Sequence, residues 1–326
     1  MVTRRRLLGG TVEVSALGFG AMVLSGSYGG VAPGQALSVL RHALDQGVTL
    51  IDTSDAYGGG SNEELVGRAI AGRRDDVVVA TKWGVKPGEH SNPATINFDI
   101  KIPIDGRPER ARAAAEASLR RLGVSAIDLW YLHFPDPVRP LEDIVGAMAE
   151  LVQAGLVRHL GLSNVTPDQL RRAHAVHPIT AIQFEYSLWT RTVEPALLPA
   201  ARELGVGLVA WGPLGSGFLA GTVDLSGDHN YRNDSPRFTA ENLRSNIDRY
   251  APFRELAGDL GITPGQLALA WLLHQGEDIV PIPGTRDVQH LDSNLEAAAI
   301  ELKDETLARL DELVPRDLAR GVAMVS

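Results

Sequence analysis

Eight short apolar runs recur along this chain, with a longer stretch of helical character somewhere between each run and the next. No other feature constrains the fold as tightly. The runs are Leu17–Gly20, Val48–Asp52, Val77–Lys82, Ile127–His133, Val157–Leu162, Ala181–Phe184, Val206–Trp211 and Ile279–Ile282. A strand apolar on both faces needs cover on both sides, as in a parallel sheet flanked by helices. Helical stretches are expected at Glu63–Ala71, Arg110–Leu122, Leu141–Ala154, Val193–Leu204, Leu256–Leu260, Pro264–His274 and His290–Ala298. Gly123, Gly155 and Gly205 stop three of them, and Thr166-Pro167 reads as an N-cap followed by a proline that starts a helix. Eight such units predict an α/β fold, a closed (β/α)8 TIM barrel. An open doubly wound sheet is the alternative, because periodicity does not establish closure.

Before the first barrel run, Arg5–Leu8, Gly9-Gly10 and Thr11–Val14 read as a β-hairpin with a two-residue turn, placed to close the bottom of a barrel. Two polar stretches interrupt the repeat, Gly88 to Pro108 and Gly221 to Arg237. Connections this long are usually functional loops or mobile segments, and both follow strand ends, where barrel sites lie. With no linker, low-complexity tract or close repeat, residues 1–326 are expected to form one domain.

Charge narrows the function. The chain carries 31 Lys+Arg against 40 Asp+Glu, a formal net charge of −9. A general nucleic-acid binder is normally basic or striped with basic residues. The one tight basic run, Arg4-Arg5-Arg6, reads as the solvated end of a first strand. The absence of cysteine removes disulfides, thiolate chemistry and Cys-ligated metals, and fits a cytoplasmic protein. No run approaches the 18 or so apolar residues of a membrane span, and the N-terminus lacks the clean apolar segment of an export signal. His174 and His177 lack an obvious third ligand, so no metal site is expected.

The strand ends carry the chemistry. Asp52, Lys82 and His133 close consecutive strands, and Tyr57 follows Asp52 by five residues. In a barrel these four side chains converge on one mouth, although each alone has an ordinary reading as cap, packing or solvated group. A phenol suits proton donation, and a neighbouring ammonium is expected to lower its pKa. Asp52 can pair with Lys82, and His133 can orient a substrate oxygen. Without an activated Ser or Cys nucleophile, the set suits delivering a proton to a carbonyl oxygen as hydride reaches carbon.

Hydride requires a cofactor. The one dinucleotide-like glycine pattern, Gly215-Ser216-Gly217-Phe218-Leu219-Ala220, is not followed by a readable helix, so a Rossmann site is not expected. A glycine turn or a backbone clamp over phosphate remains. Pro281-Ile282-Pro283-Gly284-Thr285-Arg286 leads into a helix near Val288 or Gln289, a better phosphate position, and Arg286 can fork onto an anion. Ser163, Asn164 and Gln183 close the fifth and sixth strands and can face a carboxamide. Trp211 closes the seventh and can stack on a planar ring.

These segments resemble the aldo-keto reductase superfamily, in the bacterial branch that also resembles the β subunits of voltage-gated potassium channels. The likeness covers nearly the whole chain. It is carried by Leu17-Gly-Phe-Gly20, Asp52-Thr-Ser-Asp-Ala-Tyr57-Gly, Ala80-Thr-Lys82, Leu119-Arg-Arg-Leu-Gly123, Asp128-Leu-Trp-Tyr-Leu-His133, Gly161-Leu-Ser-Asn164, Trp211-Gly-Pro-Leu-Gly-Ser-Gly-Phe-Leu, and Ile282-Pro-Gly-Thr-Arg286 through Asn294. The resemblance implies Tyr57 as general acid, tuned by Asp52 and Lys82, with His133 orienting the carbonyl. It implies NADPH stretched across the mouth. Ser163, Asn164 and Gln183 would hold its carboxamide and Trp211 its nicotinamide. Leu214, Gly215 and Gly217 would cover the pyrophosphate. Gly284, Thr285, Arg286, His290 and Asn294 would hold the adenosine half. Departures occur at Trp211, often Tyr in relatives, at Gly284-Thr285 for Lys-Ser, at His290 for Arg and at Ser293 for Glu. The loss of a basic group at Gly284-Thr285 and His290 weakens the preference for NADPH over NADH, for which Arg286 can compensate, and Ser293 loosens the hold on adenine.

The expected activity is reversible NADPH-dependent reduction of an aldehyde or ketone, with NADH as a weaker alternative cofactor. A reductase of nucleotide-linked keto sugars shares the apparatus. A cofactor-binding redox sensor with little turnover is the alternative from another class. The partner is a small carbonyl compound rather than nucleic acid or membrane. Neither its identity nor a homo-oligomeric state can be read from the sequence.

Overall fold

The computed structural model describes residues 4–26, 30–86, 88–95, 101–223, 225 and 231–323. Strands β1 (Arg5–Leu8) and β2 (Val12–Ser15) form an antiparallel hairpin with Leu8 opposite Val12. That register leaves a three-residue turn, Gly9-Gly10-Thr11, one longer than expected. Gly9 and Gly10 both have positive φ, 56° and 68°, so glycine serves the turn itself.

Eight parallel strands follow, separated by helices. They are β3 (Phe19–Gly20), β4 (Leu50–Asp52), β5 (Val78–Trp83), then, past a second hairpin of β6 (Asn92–Thr95) and β7 (Lys101–Ile104), β8 (Ile127–Leu132), β9 (Val157–Ser163), β10 (Ile179–Glu185), β11 (Gly207–Trp211) and β12 (Ile279–Pro281). Each pairs with its predecessor in the barrel. The first and last strands also meet. The Gly18 amide donates to the Pro281 carbonyl at 2.9 Å. A Cβ on Gly20 would lie 2.7 Å from the Ile282 carbonyl oxygen. Bare backbone at Gly20 therefore lets the sheet close, and the fold is the (β/α)8 barrel.

The helices are α1 (Pro33–Asp45), α2 (Ser61–Ile70), α3 (Ala111–Leu122), α4 (Leu141–Gln153), α5 (Pro167–Val176), α6 (Leu197–Glu203), α7 (Ala240–Arg249), α8 (Ala251–Asp259), α9 (Pro264–Leu273), α10 (Val288–Glu296) and α11 (Asp304–Leu313). Thr166 and Thr263 start α5 and α9 with capping boxes, each accepting from the glutamine amide three residues on. Helix α6 starts later than expected, because Pro195 disfavours helical geometry at Glu194. Helices α1, α7 and α11 were not anticipated. In α7 and α11 the apolar signal is thin, with only Asn246 and Leu310, respectively, fully buried.

Two cores result. One lies between strands and helices, and the other fills the barrel interior. Leu8, Val12 and Val14 of the hairpin join Leu50, Leu129 and Val280 in that inner core, so the hairpin closes the bottom as expected. Arg6 is not solvated. It is 3% exposed, and its guanidinium donates to the carbonyls of Leu273, Gly276 and Ile279. The chain entering β12 presents those carbonyls to the hairpin, and a buried cation satisfies them.

The stretch from Gly88 to Pro108 is partly structured by β6 and β7. Alternation in Lys101-Ile102-Pro103-Ile104 was the available signal, and Pro93 opposite Pro103 obscured it. Of Gly221 to Arg237, positions 224 and 226–230 lie outside the described residues. The remainder includes short 3-10 turns at Tyr231–Asp234 and Pro236–Phe238. Among the described residues no helix is long and apolar enough to cross a membrane.

Candidate active site

Backbone pairing brings the strand ends together. Asp52 ends β4, Lys82 is the penultimate residue of β5 and sits opposite Tyr131 of β8, and His133 follows β8. The Asp55 amide donates to the Lys82 carbonyl at 3.1 Å, and the His133 amide to the Trp83 carbonyl at 3.0 Å. Tyr57 arrives on a tight turn in which Gly58, Gly59 and Gly60 have φ of 57°, 62° and 99°. A Cβ on Gly60 would lie 2.7 Å from the Arg121 side chain. Arg121 is anchored in turn on buried Glu63 at 2.6 Å, which accepts a second hydrogen bond from Thr81.

All four expected catalytic side chains meet. The Lys82 Nζ donates to Asp52 Oδ1 at 2.5 Å, to the Thr53 carbonyl at 2.8 Å and to the Tyr57 hydroxyl at 3.2 Å. Three partners match the three ammonium protons. The Tyr57 and His133 rings stand edge to face, with centroids 5.9 Å apart. Both rings are packed by protein yet keep part of their surface open. The second carboxylate oxygen, Asp52 Oδ2, accepts from Gln183 Nε2 at 2.7 Å. One carboxylate thus joins the Lys82–Tyr57 pair to a residue read as cofactor-binding.

Burial dominates the electrostatics. It pushes the Tyr57 phenol above its usual value, and the attraction of Lys82 offsets this only in part. This corrects the expectation of a lowered pKa. The phenolate's lost hydration outweighs the attraction of Lys82, which Asp52 cancels in part. Burial opposes the Lys82 charge too, but Asp52 and Tyr57 raise its pKa above the ordinary value. Burial pushes the Asp52 carboxyl upward, against the pull of Lys82 and Gln183. Burial and Lys82 together drop the His133 imidazole well below its usual value, so it is neutral at pH 7.

The candidate cofactor residues line the same face. Asn164 Nδ2 donates to Ser163 Oγ at 3.0 Å and to the His133 carbonyl at 3.1 Å. Asn164 Oδ1 is buried with no hydrogen-bond partner among the described residues. Asn164 also holds a positive φ of 57°, uncommon away from glycine. Trp211 ends β11 opposite Glu185 and is partly exposed. Leu214 precedes the 3-10 turn Gly215–Gly217, which confirms a turn rather than a Rossmann helix start.

Gly215 and Gly284 also have packing reasons. A Cβ there would lie 2.5 Å from the Trp189 ring and 2.3 Å from the Gly20 carbonyl oxygen. Beyond β12, Thr285 is buried and its hydroxyl accepts from the Asp287 amide at 3.1 Å. Arg286 donates to the Gly30 carbonyl at 3.1 Å. Asp287 caps α10 by accepting from the His290 amide at 2.9 Å. The helix start read as an anion site is therefore partly taken by the chain's own carboxylate. The His290 side chain is exposed, and Asn294 is buried.

Sequence reasoning missed Ser54, Asp55 and the Glu63–Arg121 pair. Ser54 and Asp55 lie inside the quoted Asp52–Tyr57 segment, which was the available signal. Glu63 and Arg121 are 58 residues apart, and nothing local joins them.

The chain matches the aldo/keto reductase family over residues 16–315. It is 45% identical over 315 residues to "Probable aldo-keto reductase 1" of Glycine max, covering 95% of this chain and 88% of that one. Among solved structures it is similar to the glycerol dehydrogenase of Gluconobacter oxydans, with a TM-score of 0.84 and 29% identity, covering 100% of this chain and 99% of that one. It is also similar to an aldo-keto reductase of Klebsiella pneumoniae in complex with NADPH, with a TM-score of 0.75 and 28% identity over 99% and 100% of the two chains.

Proposed function

The chain belongs to the aldo/keto reductase family and is an NAD(P)H-dependent oxidoreductase; from that premise we propose that it reduces an aldehyde or ketone to the alcohol with NADPH, using Tyr57 as general acid. The carrying observation is the Lys82–Tyr57 hydrogen bond of 3.2 Å within a fully assigned ammonium. A phenol oxygen that accepts from Lys82 directs its own proton elsewhere. NADPH, when bound, supplies the hydride. Tyr57 gives its proton to the carbonyl oxygen, and the phenolate left behind is stabilised by Lys82. Asp52 keeps Lys82 charged and in place. Neutral His133 holds the carbonyl oxygen by hydrogen bonding. Reversal of the same transfers oxidises the alcohol.

The residues present fit the cofactor. Asn164 Oδ1, a buried acceptor without a partner among the described residues, suits an amide N–H donor such as the nicotinamide carboxamide. Ser163 and the Gln183 side-chain oxygen Oε1 would complete that contact, and Trp211 would stack on the ring. Leu214, Gly215 and Gly217 would cover the pyrophosphate. Gly284, Thr285, Arg286, His290 and Asn294 would hold the adenosine half, with Arg286 on the 2′-phosphate. The reading is of a single-domain cytoplasmic enzyme acting on a small carbonyl compound. The similarity to a glycerol dehydrogenase adds small polyols to the candidates.

The test is a screen of the purified protein against aldehydes, ketones, keto sugars and polyols with NADPH and NADH. Carbonyl-dependent oxidation of NADPH is expected. Tight cofactor binding without turnover on any of these would favour the sensor reading instead.

A further inference from the structure

Ser54 is completely buried and touches the site at a point the mechanism above does not use. Its Oγ lies 3.2 Å from His133 Nδ1. The same oxygen accepts the Ala56 amide at 3.2 Å, which holds it in place on the turn leading to Tyr57. The His133 ring is held further by stacking on Phe134, at 5.1 Å and 20° between planes, and by the edge contact with Tyr57. Its plane is set, so its function depends on which nitrogen carries the proton.

A neutral imidazole has one N–H and one lone pair, and the partner of one nitrogen decides the role of the other. We propose that Ser54 is a positioning residue whose hydroxyl donates to His133 Nδ1, leaving the single ring proton on Nε2 to hold the substrate carbonyl oxygen. The inference rests on the reading above that His133 faces that oxygen.

Three observations favour this direction. The Ala56 amide uses one Ser54 lone pair, so the hydroxyl proton is free to point elsewhere. The competing acceptor, Asp55 Oδ1, is 3.4 Å away, beyond the normal range for O–H···O hydrogen bonds. Among the described residues Nε2 has no protein partner, and the His133 side chain is partly exposed. The reverse arrangement, with Nδ1–H donating to Ser54, would put a lone pair on Nε2. Two lone pairs would then meet where the carbonyl oxygen must bind.

The experiment is nitrogen-15 NMR of the full-length protein with labelled histidine. The His133 resonances are identified by their loss in His133→Asn. The wild type is expected to show the Nε2–H tautomer. Ser54→Ala is expected to shift the population toward Nδ1–H and to lower kcat by about 10- to 100-fold, by analogy with the loss of the partner that orients a metal-bound histidine, with KM for NADPH unchanged. Ser54→Thr, which keeps the hydroxyl, is expected to restore both. A wild-type His133 protonated on Nδ1 would overturn the proposal, and this reading needs no variant to fold. So would a Ser54→Ala variant with unchanged tautomer, or one with a shifted tautomer and full kcat. Failure of the wild type to reduce any carbonyl sinks the functional reading instead, and the resonance still reports on Ser54.

Discussion

Lys82 Nζ donates to the Tyr57 hydroxyl across 3.2 Å, while its other two protons are held by Asp52 and the Thr53 carbonyl. The ammonium is thereby fixed, and the phenol proton is turned away from it. Tyr57→Phe removes that proton and leaves the surrounding shape. It is expected to lower kcat by about 10²- to 10⁴-fold, the usual worth of a positioned acid. NADPH affinity, read by fluorescence quenching, should stay within a few-fold of wild type. Unchanged turnover would remove Tyr57 from the mechanism.

Lys82 and Asp52 are 1% and 4% exposed, so each is the other's main compensation for lost hydration. Lys82→Met strands the carboxylate and is expected to destabilise the fold by about 3–5 kcal/mol. Adding Asp52→Asn removes the stranded charge and should recover part of that loss. Urea denaturation of the wild type, the single variant and the double variant measures both effects. A Lys82→Met protein as stable as wild type would mean the pair is far better solvated than its burial indicates.

Asp55 gives a pH dependence. Burial, reinforced by Glu63 and opposed by Arg121 and Arg110, raises its carboxyl from 3.8 to about 7. A raised folded-state value means the folded protein binds the proton more tightly than the unfolded chain. Stability is therefore lost as pH rises from about 4 to about 7 and is level above that. The full shift corresponds to about 4 kcal/mol, and solvent at the partly exposed side chain lowers this to about 2 kcal/mol. Asp55→Asn should be more stable than wild type at pH 8 by roughly that amount and nearly equal to it at pH 4. Equal midpoints in urea at both pH values would contradict the shift.

Arg6 latches the hairpin to the barrel floor through three carbonyls. Arg6→Ala leaves those carbonyls without their donor and is expected to cost about 3 kcal/mol, given charge-assisted bonds of about 1.5–3 kcal/mol each before relaxation. The latch lies at the opposite end of the barrel from Tyr57. Thermal unfolding should therefore shift while kcat stays near wild type. A loss of kcat with unchanged stability would contradict a purely structural role.

Arg286 separates the two cofactors. If it pairs with the 2′-phosphate, Arg286→Ala weakens NADPH binding by roughly tenfold or more and NADH binding much less, as expected for loss of one charge-assisted contact. Titration with each cofactor measures the ratio. Equal losses for both would show that Arg286 does not read the phosphate.

Hydrophobic period and turn residues are local, so the sequence by itself determined the strand–helix units, the hairpin and the placing of Asp52, Lys82 and His133 at strand ends. Three helices went unread. Ala240–Arg249 buries too little apolar surface to announce itself, whereas Pro33–Asp45 carried a legible stripe of Ala36, Val39, Leu40 and Ala43. Closure was decided only in three dimensions, where bare backbone at Gly20 meets Ile282. So was the fate of Arg6, whose carbonyl partners lie more than 260 residues away. The direction of the Tyr57 shift was decided there too. A sequence shows that a lysine is near, but the balance between its field and lost hydration depends on everything packed around both groups. The Ser54–His133 contact joins residues 79 positions apart and belongs to the same class. Local chemistry chooses the groups, and the enclosing barrel sets their hydration, partners and proton positions.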